Sequence, residues 1–228
     1  MTGWLRGLAD GARPGSAADR FRQRRFSLFR PLLDALPRPV RILDVGGTVV
    51  FWERAGYAGH DGIEIVLLNL TEQESPYPNI TATIGDATDL SRYADEVFDV
   101  VVSNSVIEHL PTPALQARMA SEVRRVAKRV YLQTPNRYFP LEPHFLFPFF
   151  GVLPMRVRAL LLQHMDLGWF KRRPDAQEAL AEVRSVRLMT GSELRRLFPT
   201  ARLERERILF VTKSFIVLDG WDPGNGRT

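Results

Sequence analysis

Glu142 and His144 stand two residues apart with Pro143 between them. An imidazole titrates near neutrality, so it can take a proton from a hydroxyl or an amine. Pro143 stiffens the intervening backbone, and Glu142 can orient the imidazole or hold a substrate hydroxyl or amine itself. The plainer alternative is a structural loop whose charges pair with arginine. Three further histidines are weaker candidates: His109 next to Glu108, His164 in an amphipathic run where a packing role fits, and His60 in a glycine-rich turn. No carboxylate and histidine cluster has convincing ligand spacing, so no metal is expected.

A second reactive stretch is Ile42-Leu43-Asp44-Val45-Gly46-Gly47-Thr48. The apolar run Val40 to Val45 reads as a short buried strand that ends in an acid and two glycines. Without a Cβ, such a turn lets backbone approach a ligand closely, and the acid can accept hydrogen bonds from an amine or hydroxyl. At the carboxyl end of the first strand of an open α/β sheet this is a nucleotide-type site, for a dinucleotide or for S-adenosylmethionine. The Gly-x-Gly-x-x-Gly spacing of a dinucleotide site is missing, which disfavours a nicotinamide-dependent oxidoreductase.

The elements that must position these groups follow in order. Residues 1–18 read as a mobile arm and 19–36 as a helix ended by Pro37 and Pro39. On it, Arg22, Arg24 and Arg25 supply either a guanidinium for a ligand carboxylate or a solvated basic face. Residues 48–57 form the next helix region, with Phe51 and Trp52 inward. Strands are expected at Ile63 to Leu70, Ile80 to Ile84, Phe98 to Asn104 and Val130 to Pro135, with an amphipathic helix from Pro113 to Ala127. This alternation argues for a parallel, doubly wound sheet. A short helix at 191–197 precedes two closing strands, Leu203 to Val211 and Ser214 to Leu218, joined by a turn near Lys213. Residues 19–220 are taken as one domain and 221–228 as a tail.

Composition narrows the field. The chain has 228 residues, no cysteine and a net charge of +5. Disulfides, zinc–thiolate sites and thiol nucleophiles are excluded. No apolar run reaches the length of a membrane span, and no apolar leader segment is visible, so a cytoplasmic protein is expected. Only three of the 31 basic residues are lysine, a bias that codon usage in a GC-rich genome explains as well as phosphate-bearing partners do. No nucleic-acid module is recognisable, so DNA is not expected as a partner.

Four motifs in this order resemble those of the class I S-adenosylmethionine-dependent methyltransferases, particularly the methyltransferase-11-like group. They are Ile42 to Gly47, Asn69 at the end of strand two, Gly85-Asp86-Ala87, and Phe98-Asp99-Val100-Val101 through Glu108-His109-Leu110. The resemblance covers roughly residues 40–135. It implies a Rossmann-like seven-stranded α/β sheet, mostly parallel with an antiparallel final hairpin. Helices cover both faces, and a helical insertion lies between strands 5 and 6. It implies an enzyme with S-adenosylmethionine as cofactor. Asp44, Gly46, Gly47 and Thr48 would hold the methionine carboxylate or amino group. Asn69 and Leu70 would take the ribose, Asp86 and Ala87 the adenine edge, and Ser103 and Asn104 the methionine side. His109 would sit beside the cofactor and substrate. Two departures stand out: Val49 and Val50 where a third glycine is usual, and Asn69 where an acid is usual.

The run Thr134 to His144, with Arg137 and Tyr138 as substrate contacts, resembles a subset of bacterial methyltransferases associated with cell-surface sugars, lipids and natural products. The expected reaction is O-methylation of a small-molecule acceptor, with His144 as general base and Glu142 beside it. Residues 138–170 carry seven phenylalanines or tyrosines. A segment this rich suits a substrate lid over 136–186, a homodimer interface, or peripheral membrane contact through 145–162. The rival functions are a non-catalytic binding module that kept the fold, and RNA methylation. The Asn-Pro-Pro-Tyr type of signature is absent after strand four, which disfavours RNA.

Overall fold

The computed structural model describes residues 17–221. Most of the expected arm and tail lies outside that range. Ala17, which was expected in the arm, already begins helix α1 (Ala17–Asp34). Trp221, expected in the tail, is tied down: its indole Nε1 donates to the Val130 carbonyl at 2.9 Å, and its ring meets Phe29 edge-on.

The chain then alternates as β1 (Val40–Val45), α2 (Val49–Ala55), β2 (Ile63–Asn69), β3 (Ile80–Ile84), β4 (Phe98–Asn104), α3 (Pro113–Val126) and β5 (Ala127–Pro135). The insertion holds α4 (Met155–His164) and α5 (Ala176–Arg184), followed by α6 (Gly191–Leu197) and the strands β6 (Arg202–Ile208) and β7 (Val211–Asp219). Helix starts follow capping chemistry. The Thr48, Thr112 and Asp175 side chains accept the first free amides of α2, α3 and α5, and Thr190 with Glu193 forms a capping box on α6.

The seven strands lie in the order β3-β2-β1-β4-β5-β7-β6. The first five are mutually parallel, while β7 runs antiparallel to both β5 and β6. The expected fold class is therefore the observed one. Adjacent residues of β1 face opposite sides of the sheet. Val40 and Ile42 pack with Phe26, Phe29 and Leu33 of α1 and Trp52 of α2, whereas Leu43 and Val45 pack with Met119 and Val123 of α3 and Leu194 of α6. Burial of a large apolar side chain is worth about 1.5–3 kcal/mol, so these two clusters set how the helices sit on the sheet.

The final hairpin differs in one detail from the sequence expectation. Its turn falls at Leu209 and Phe210, not near Lys213, and these residues are 86% and 98% exposed. Polar residues usually mark turns, so this apolar tip gave no turn signal. Because Pro135 pairs with Ser214, the tip projects past the carboxyl end of β5.

Residues 136–190 build a third apolar cluster of their own, from Phe145, Phe150, Leu162, Leu167, Ala179 and Val183. The Phe145 ring stacks on Phe150 at 4.3 Å and on Phe170 at 4.4 Å. Much of the aromatic density is therefore internal packing.

Candidate active site

The parallel strands end together along one edge of the sheet, where chain reversals after β1, β2, β3 and β4 collect polar groups. After β1, Gly46 has φ +74, and a Cβ there would lie 2.4 Å from Val106 Cγ2. A Cβ on Gly47 would overlap the Asp44 carboxylate, 1.8 Å from Oδ2. Both glycines are needed because the turn folds tightly over these side chains. Asp44 is 2% exposed and accepts the Trp52 indole N–H at 2.8 Å. Burial pushes its carboxyl up to about 7, against the lowering effect of the Trp52 bond. Sequence reasoning placed Trp52 inward but missed its bond to Asp44.

Asn69 closes the turn from β2. Its amide Nδ2 donates to the Gly47 carbonyl at 3.0 Å, which leaves its own carbonyl oxygen outside that bond. Beyond it, Leu70 is 77% exposed and Ile84 53% exposed. One oxygen of Asp86 accepts both the amide and the hydroxyl of Thr88, at 2.7 and 2.8 Å, which fixes the loop after β3. Ala87 is buried, whereas Thr48 and Asp86 are exposed. In β4 the Ser103 hydroxyl is buried with no hydrogen-bond partner among the described residues.

Asn104 is met by α1. Arg25 donates to Asn104 Oδ1 at 2.6 Å, to Gln133 Oε1 at 3.1 Å and to Glu206 Oε1 at 3.1 Å. Arg25 is thus held by side chains at the sheet edge and does not belong to a solvated basic face. Its charge is balanced by Glu206, and Glu206 also accepts from Ser214. Lys213 lies 4.4 Å from the centroid of the Phe21 ring, and burial together with Arg25 lowers its pKa to about 8. Gln133 was legible only as a polar residue in an apolar strand. Glu206 sits in a run of alternating charges that hides it.

Glu142 and His144 are joined as their spacing suggested. Glu142 is 2% exposed and accepts His144 Nδ1 at 2.7 Å, the His144 amide at 2.9 Å and the Phe145 amide at 2.5 Å. An ionised carboxylate only accepts, so Nδ1 carries the proton and Nε2 is left with the lone pair. Burial disfavours the imidazolium, but the Glu142 bond and the charges of Glu142 and Glu108 outweigh it and hold the His144 pKa above its usual value of 6.5. The His109 ring stands perpendicular to His144 at 5.0 Å. Burial and His144 lower the His109 pKa, so of the two rings His109 is the harder to protonate.

Glu108 is fully buried. Its Oε2 accepts the Thr134 hydroxyl at 2.8 Å, while Oε1 has no partner among the described residues. Glu108, His109 and His144 bring ligand-type atoms within 4.8 Å of one another. Sequence spacing does not announce this group, because 108–109 and 144 are distant in sequence and only the return of the chain after β5 joins them.

The remaining candidates are dispersed. Arg137 reaches the Gly151 carbonyl at 3.4 Å, whereas Tyr138 is 63% exposed. His164 is an exposed residue bonded to the Leu160 carbonyl at 2.8 Å, not the packing histidine expected, and His60 is likewise exposed. Among the described residues no helix is long and apolar enough to cross a membrane.

With this geometry in view, the chain can be set beside known proteins. The family profile described as a methyltransferase domain matches residues 43–130. No curated protein matches the chain. A possible exported protein from Bordetella parapertussis shares 16% identity at TM-score 0.54, over 95% of this chain and 78% of its own. The CMeT domain of the citrinin polyketide synthase shares 13% at TM-score 0.52, over 89% and 53%. A SAM-dependent methyltransferase from Methanosarcina mazei shares 18% at TM-score 0.48, over 82% and 94%. At these identities the structural likeness concerns the fold.

The fold is the one class I methyltransferases use, and residues 43–130 carry a methyltransferase domain. That domain supports an enzyme that transfers methyl groups with S-adenosylmethionine as cofactor. The residues at the sheet edge fit this molecule chemically. Exposed Leu70 and Ile84 suit the faces of a base and sugar, Asn69 and Asp86 add acceptor oxygens, and the buried Ser103 hydroxyl adds a donor.

Proposed function

We propose that this enzyme methylates a hydroxyl of a small-molecule acceptor, in the class of sugars, lipid-linked compounds and natural products, with His144 as general base. The observation that supports this most is the 2.7 Å bond between His144 Nδ1 and the buried Glu142. It fixes the tautomer, leaves Nε2 to take a proton, and sets a carboxylate against the imidazolium that results.

When bound, S-adenosylmethionine supplies a methyl group already activated on a sulfonium, so the protein's task is orientation and exclusion of water. The turn at Asp44, Gly46, Gly47 and Thr48, with Ser103 and Asn104, would hold the methionine end. Asn69 and Leu70 would take the ribose, and Asp86 with Ala87 the adenine. Asp44, poised near pH 7, would be drawn to its carboxylate form by a neighbouring ammonium. His109, the harder of the two rings to protonate and set against His144, would line the acceptor side.

Residues 136–186 act in this reading as a lid. Burial of Phe145 and Phe150 in the segment's own apolar cluster supports the lid, while exposed Phe149, Val152, Val157 and Leu160 are the residues a dimer face or membrane contact through 145–162 would use. The test is methyl transfer to a panel of hydroxyl-bearing acceptors by wild type and His144→Ala. Loss of turnover with cofactor affinity retained is expected. Full turnover by the variant would remove His144 from the chemistry.

A further inference from the structure

A cavity of about 230 Å³ lies between the insertion and the loop that follows Glu108 and His109. Its wall includes Glu142 and four arginines: Arg137 just beyond β5, Arg158 of α4, Arg184 at the end of α5, and Arg187. Four guanidinium groups around so small a space need an account, because clustered cations repel unless something negative joins them.

The protein supplies little of that charge. Arg187 is neutralised by Glu193 and also bonds Gln116. Among the described residues, Arg158 is held only by carbonyls, those of Leu153 at 2.8 Å and Gly151 at 2.7 Å, with its guanidinium 5.7 Å from the Phe150 centroid. Arg137 reaches, among the same residues, only the Gly151 carbonyl. Arg184 forms no side-chain hydrogen bond or ion pair with any described residue. Glu142, the acid in the wall, already has its oxygens committed to the His144 ring and two amides. Burial lowers the Arg158 pKa most and the charge of Arg137 lowers it further, while Glu142 in the wall opposes both.

We propose that this cavity binds the phosphate or diphosphate group of the acceptor, and that the methylated substrate is a phosphate ester. Guanidinium forks match phosphate oxygens in pairs. Three cations without carboxylate partners among the described residues suit a dianion better than a single carboxylate. The volume admits a charged head group, and the rest of the acceptor extends outward past Glu142 and His144. The inference rests on the reading of His144 as the group that meets the acceptor, since Glu142 joins cavity and base. Such an ester is carried either by a soluble nucleoside diphosphate conjugate or by a lipid phosphate.

Calorimetric titration with inorganic pyrophosphate and with uridine diphosphate, beside flotation on vesicles containing phosphatidic acid, tests the proposal on the full chain. Pyrophosphate is expected to bind, and each arginine removed should weaken it by about tenfold. Arg184→Ala is the first variant, because no described contact depends on that side chain. Arg137→Ala is the second, and S-adenosylmethionine affinity should be unchanged in both. Tighter binding of uridine diphosphate than of pyrophosphate would assign a nucleotide-linked acceptor. Vesicle binding lost in Arg184→Ala would assign a lipid-linked one. If wild type binds S-adenosylmethionine but none of the three probes, or if both variants bind pyrophosphate as wild type does, the phosphate site is overturned while the methyltransferase reading stands. Full turnover by His144→Ala would instead strike the base assignment and leave the probe titrations to judge the cavity.

Discussion

The sheet edge and the insertion solve the same problem, placing polar groups, in opposite ways. At the sheet edge each group sits at or close to a strand end, so strand pairing positions it: Asp44 of β1 across from Leu67 and Val102, Asn69 across from Ile84. In the insertion no sheet is available. Glu142 and the wall arginines are held by loop carbonyls, backbone amides and a separate apolar cluster. The first arrangement is rigid by pairing and suits one fixed cofactor. The second can change its side chains without disturbing the sheet, which suits the acceptor site proposed for it.

This contrast also governs what could be read from sequence. Strand-end motifs are local, so the placement of Asp44, Asn69, Asp86 and Asn104 at or near strand ends was legible, as was the sheet. The Glu142–His144 pair was legible because it is local too. The meeting of Glu108 and His109 with His144 was not, since the path of the insertion decides it. The arginine-lined cavity draws on residues 137, 158, 184 and 187, whose common face no periodicity announces. Trp52 read as core, and nothing in its spacing told of the buried Asp44 beneath its indole. The apolar hairpin tip at Leu209 and Phe210 contradicts ordinary turn composition, so the turn was sought at Lys213 instead.

Substitutions can break or sharpen the division between the two regions. The largest expected effect is on turnover: His144→Ala should lower kcat by ~10²–10⁴, the usual range for a lost general base. Next in size, Phe145→Ala opens the stacked centre of the insertion cluster and should cost about 3–5 kcal/mol there. Limited proteolysis should then cut within residues 138–170 while cofactor affinity persists. Loss of cofactor binding in this variant would mean that the two regions are not separate. Asp86→Ala should weaken S-adenosylmethionine by about tenfold, through one lost hydrogen bond to a charged group.

The smallest expected effect is a displaced pH profile. His144 must be unprotonated to act, and Glu142 holds its pKa above 6.5, so the rate should climb with pH through that raised value. Glu142→Gln should move the climb to lower pH; an unmoved profile would detach Glu142 from the base. The same pairing bears on stability. In the unfolded chain the imidazole returns to about 6.5. The contribution of the charged pair is therefore complete below that pH and fades as pH rises through the higher folded value. Denaturant melts across this window measure it.

The most direct measurement is calorimetric titration of S-adenosylmethionine into three proteins at one pH: wild type, Asp86→Ala and His144→Ala. The expected result is micromolar binding to wild type, about tenfold weaker binding to Asp86→Ala, and wild-type affinity in His144→Ala. Unchanged affinity in Asp86→Ala together with a loss in His144→Ala would contradict the division of the site into a cofactor edge and an acceptor pocket.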